Sequence, residues 1–86
     1  MALQSLKVTA TGVVTTSIVQ VVLFEWSGPG TAGDVLTLYD NRNEIVWNAV
    51  ADEVNYDLWK AYGKPVAING LNMHTLGSGT LIIYYV

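Results

Sequence analysis

Gly28, Gly30 and Gly33, within "SGPGTAGD", spell G-x-G-x-x-G, the pattern of a dinucleotide-binding loop. Such a loop must follow a strand and open a helix, because the helix N-terminal amides hold the pyrophosphate. A strand-like run, "VVLFEW", does precede it, and the acidic pair Asp52 and Glu53 follows near the distance at which a ribose ligand is wanted. The residues after Gly33 fail the test. "DVLTLYDNRNEIVW" reads as two strands and a turn, Pro29 lacks an amide donor, and 86 residues are too few for a doubly wound sheet. No G-K-[S/T] follows to make a phosphate loop. The stretch is expected to be a glycine-rich connection between two strands.

Other residues with chemical potential form no stronger pattern. His74 is the only histidine, and a nucleophilic arrangement with Ser78 and Asp34 is conceivable for it. Asp40, Asn41, Asn43 and Glu44 gather oxygen ligands, yet their spacing is not that of a calcium loop. They suit a hairpin turn better. Asp52-Glu53 reads as a solvated turn. The expectation is therefore no enzyme, no catalytic residue, no cofactor and no metal site.

The elements that would position these residues are strands. Leu6, Val8 and Ala10 alternate with Lys7, Thr9 and Thr11, a period of two. "VVLFEWS" is β-branched and aromatic, and "DVLTLYD" and "EIVWNAV" flank the polar cluster at 40–43. "PVAIN" and "LNMHT" flank Asn69-Gly70, a strong signal for a hairpin turn. The segment "ADEVNYDLWKAYGKP" fits either a helix capped by Asp52 or a strand in which Val54, Tyr56 and Leu58 share a face. Its neighbours favour the strand. Residues 1–86 thus read as one all-β domain. A small sandwich or jelly-roll-like barrel of about seven to eight short, mostly antiparallel strands is expected.

"SGTLIIYYV" ends in six consecutive apolar residues, Leu81 to Val86. A continuous apolar strand is usually covered on both faces. One face meets the core. The other requires either a central place in the sheet or a neighbouring subunit. Composition points the same way: hydrophobic residues make up 51% and charged residues 13% of the chain, against roughly 25% charged in a typical soluble domain. A small monomer has difficulty hiding that much apolar surface, so association with copies of itself is expected. The net charge is −3, and the cations Lys7, Arg42, Lys60 and Lys64 are scattered, so no nucleic-acid partner is expected. "VVTTSIVQVVLF" is too short and too interrupted to span a bilayer, and no basic segment precedes it as in a secretory signal. No membrane association is expected, nor does cysteine provide a disulfide framework.

The aromatics carry the remaining functional signal: Trp26, Trp47 and Trp59 with Tyr39, Tyr56, Tyr62, Tyr84 and Tyr85. They suit a core and a subunit interface. The alternative is a carbohydrate-binding module that stacks Trp and Tyr on sugar rings. "LKVTATGVVTTS" at 6–17, "LTLYDN" at 36–41, "PVAINGL" at 65–71 and "GSGTLIIYYV" at 77–86 together resemble short β-rich virion proteins of tailed bacteriophages. The middle, "NEIVWNAVADEVNYDLWKAYGK", departs from that pattern in its Trp and acidic residues. The resemblance implies a capsid cement or decoration protein, made in the host cytoplasm and located in the virion. A tail or head–tail junction component is the variant reading. Its partners would be itself, as a closed homo-oligomer with a trimer placed first, and the major capsid protein or another virion protein. The expected subunit contacts are Trp26, Trp47, Trp59, Leu81, Ile83, Tyr84, Tyr85 and Val86.

Overall fold

The computed structural model describes residues 3–54 and 57–86. Six strands run in chain order: β1 (Gln4–Val8), β2 (Gly12–Ser27), β3 (Val35–Tyr39), β4 (Ile45–Val50), β5 (Leu58–Leu76) and β6 (Thr80–Tyr85). No helix occurs among the described residues. The strands form one sheet in the order β1-β6-β2-β5-β3-β4, and every pairing is antiparallel. The all-β expectation holds.

The strand count is lower than expected because β2 and β5 are long. The Asn69-Gly70 pair does not make a hairpin; it lies inside β5. Gly70 adopts φ +82°, and here Thr16 and Ser17 of β2 stand against Gly70 alone. A positive φ suits a bulge as well as it suits a turn. A second irregularity sets Tyr62 to Pro65 of β5 against Val22 of β2. These two sites bend long strands where a reading of local sequence places breaks. The ambiguous segment is strand from Leu58 onward. Asp52 to Val54 form a bend and turn, and Tyr56 lies outside the described residues.

The sheet curls onto itself. Phe24 on β2 stacks on Trp47 of β4 at 5.9 Å between ring centroids. Those strands are three positions apart in the sheet, about 14 Å if it were flat at ~4.8 Å per strand. Only a folded sheet brings them together. Val21, Phe24 and Trp26 of β2, Leu36 and Leu38 of β3, Leu71 and Met73 of β5, and Leu81 and Ile83 of β6 meet inside that fold as the core. Each such side chain stabilises by about 1.5–3 kcal/mol through its removal from water.

β6 lies between β1 and β2, so both edges of this apolar strand are paired within the sheet. Its inner residues, Leu81 and Ile83, are in the core. Thr80, Ile82 and Tyr84 alternate onto the outer face.

Candidate functional site

The glycine loop joins β2 to β3 and opens no helix. Gly28 and Gly33 take φ +63° and +91°, as a connection between strands requires. The amides of the loop are already engaged. Gly28 N–H donates to Asp57 Oδ1 at 2.9 Å, and Gly30 N–H donates to Ser78 Oγ at 2.7 Å. Ser78 Oγ–H in turn donates to Asp34 Oδ2. The indole N–H of Trp26 donates to the Ser78 carbonyl at 2.8 Å. The Ser78 bonds tie the loop to the β5–β6 turn, and the Asp57 bond ties it to the start of β5.

Ser78 and Asp34 therefore do meet, but with no imidazole between them. The His74 Nδ1 is 3.0 Å from Thr75 Oγ1, and its ring leans on Tyr39 at 5.0 Å. A direct hydroxyl–carboxylate bond is a different arrangement from the Ser/His/Asp relay conceivable from the sequence. The 40–44 cluster is a turn: Asp40 Oδ1 accepts from the amides of Arg42 at 2.8 Å and Glu44 at 3.0 Å, and Asn43 takes φ +59°. Among the described residues no group of three or more potential ligands gathers as a metal site. An open cleft of about 440 Å³ adjoins this turn, with Asp40, Arg42, Glu44, Tyr62 and Asn69 on its walls.

The expected contact residues separate into three groups. Trp26 and Leu81 are fully buried and Ile83 is 1% exposed, so these three belong to the chain's own core and present no surface to a partner. Trp47 is half-buried against Phe24. Tyr85 packs at the edge of the core and Val86 is half-buried, its amide donating to the Gln20 carbonyl at 3.0 Å. Trp59 and Tyr84 remain on the outer surface, and Trp59 is 56% exposed.

Strand register places those two aromatics on one face with residues that sequence reading did not select. Lys7 of β1 pairs with Ile82 of β6, Ile82 with Glu25 of β2, and Glu25 with Trp59 of β5. This makes one row across four strands. The next row on the same face runs Ser5, Tyr84, Leu23, Ala61. Val22 joins it, because the bulge sets Val22 and Leu23 together against Tyr84. Tyr84 O–H donates to Glu25 Oε1 at 2.9 Å, linking the rows. That bond to the carboxylate is the main reason the Tyr84 hydroxyl holds its proton above the ordinary tyrosine range. The two rows thus form a largely apolar four-strand surface with one anion and one cation. Leu23 and Lys7 were readable from sequence only as alternating strand residues; nothing local indicates that they share a face with Trp59.

No protein-family model, no curated protein and no solved structure matches this chain.

Proposed function

We propose that the chain is a structural assembly protein that works by binding energy alone, most specifically a cement or decoration protein of a tailed-phage head. The observation that carries this reading is the outer face of β1, β6, β2 and β5. There half-buried Leu23, Ile82 and Tyr84 share a face with a 56% exposed Trp59. Low charge and the resemblance at 6–17, 36–41, 65–71 and 77–86 support it. The packing of Phe24 on Trp47 supports reading the curled sheet as a small sandwich. A cement protein lies across joints between shell subunits and resists their separation. The energy comes from apolar burial and complementary contacts at its interfaces.

The test is co-sedimentation with empty heads assembled from the major capsid protein of the same genome. Saturable binding in many copies per head, with a raised temperature of head disruption, is the expected result. A genome without such a capsid protein, or heads that leave the chain in the supernatant, would sink the reading. A tail or head–tail junction role would instead direct the chain to tails. The exposed Trp59 beside Tyr84 also favours a second reading, a carbohydrate-binding face. Polysaccharide titration followed by tryptophan emission distinguishes it: a saturable shift supports sugar binding, and a flat response removes it.

A further inference from the structure

We infer that two copies of this chain pair through the outer face of β1, β6, β2 and β5, related by a two-fold axis that runs along the strands between β6 and β2. The inference rests on the assembly reading and specifies its self-association surface. The argument is one of complementarity within the register. Such an axis lays β1 of one copy over the partner's β5, and β6 over the partner's β2, with like rows facing. Lys7 then faces the partner's Trp59, and Tyr84 faces the partner's Leu23. Glu25 stands beside Trp59 in the same row, so an ammonium lying over the indole also reaches that carboxylate.

Lys7 and Glu25 are the only charges in the two rows. Within one chain they stand two strands apart, about 10 Å between backbones, with Ile82 between them in the row. The two-fold operation brings each beside the other's counterpart, twice per pair. Two sheets facing at ~10 Å is ordinary sandwich packing, and an isologous contact closes on itself. Four strands at ~4.8 Å and a length of about six residues give a face of roughly 19 by 20 Å. That is below the ~800 Å² per partner of a standard interface, so the pair is weak in solution and favoured where many copies are held close. The symmetry differs from the trimer that the resemblance implies.

The experiment is sedimentation equilibrium from low micromolar to about millimolar concentration. The expected mass rises from 9.3 kDa toward twice that value. Lys7→Glu sets Glu against the partner's Glu25, and Glu25→Lys sets Lys against the partner's Lys7. Each variant alone should dimerise at least ~10-fold more weakly than the parent. Mixed, they restore both opposite-charge contacts, and a heterodimer within ~3-fold of the parent affinity is expected. Circular dichroism checks that both fold. Trp59→Ser, at an exposed position, gives a further weakening that does not depend on Glu25. A chain that stays monomeric throughout overturns the pair, as does a mass three times 9.3 kDa or a mixture with no rescue. Monomers that nevertheless bind heads overturn the pair and leave the assembly reading standing. Dimers that bind no heads do the reverse.

Discussion

The side chain of Asn41 occupies the space that a side chain at position 70 would need. A Cβ built on Gly70 would overlap the Asn41 side-chain amide. Asn41 is not free to withdraw. Its Nδ2 donates to the Thr16 carbonyl at 3.0 Å, and its backbone amide donates to the Asn69 carbonyl at 2.9 Å. The β3–β4 turn is thereby fastened to the bulge where β2 and β5 bend.

Gly70→Ala is accordingly expected to destabilise by about 2–4 kcal/mol. Of this, ~1–2 kcal/mol comes from forcing a Cβ into φ +82°. The rest comes from displacing Asn41 and its hydrogen bonds. Urea unfolding should show a lower midpoint with an unchanged slope. Asn41→Ala combined with Gly70→Ala should cost less than the sum of the two single changes, because the double variant has no clash and loses the Asn41 side-chain bond only once. Strict additivity would mean that the two residues do not meet in solution.

Alkaline pH tests the outer face. Tyr84 is raised above the ordinary tyrosine value first by its hydrogen bond to Glu25, and Tyr62 is raised by burial. Below about pH 10 both hydroxyls are protonated in the folded and unfolded states alike, and their contribution is fully present. Above that, the unfolded chain releases these protons first, so stability falls as pH rises toward the folded-state values. An absorbance titration of phenolate should resolve two late-titrating tyrosines, and Tyr84→Phe should remove one of them. If Tyr84→Phe leaves the late phase unchanged, the contact with Glu25 does not form.

Much of this was legible in the sequence, and the failures share one cause. Alternation places β1 and β3, a continuous apolar run places β6, and the polar cluster at 40–43 is the turn its composition suggests. The glycine loop connects strands as its downstream residues imply. Asn69-Gly70 misleads because a bulge and a hairpin turn ask the same thing of the backbone. What decides between them is Asn41, 28 residues away along the chain. Trp26 and Trp59 look alike in sequence, yet one donates its N–H to Ser78 inside the core and the other lies open on the outer face. That distinction comes from register, which local pattern does not contain.

The edge strand β4 yields a third prediction. It pairs only with β3, contains no charge in "IVWNAV", and leaves Ile45 and Val50 exposed. Natural edges of this kind are usually guarded by Lys or Pro. Val50→Lys is expected to change stability by no more than ~0.5 kcal/mol. It should clearly slow turbidity growth on prolonged heating. Equal rates for parent and variant would show that aggregation starts elsewhere.

The place of β6 also sets an order of events. Gln4 pairs with Tyr85 and Val8 with Leu81, while Trp26 of β2 pairs with Leu81 from the other side. β6 is therefore made after the other five strands, yet it is the one that joins β1 to the rest of the sheet. Until residues 80–85 emerge, β1 has no neighbour and one flank of β2 is open along Val21 to Ser27. During synthesis β2, β3, β4 and β5 can pair before β6 is made, but Trp26 and Phe24 lack their β6 partners until it arrives. Any stop codon or proteolytic nick before Thr80 would thus release a product with β1 unattached, and a chaperone or protease would be the first partner it meets.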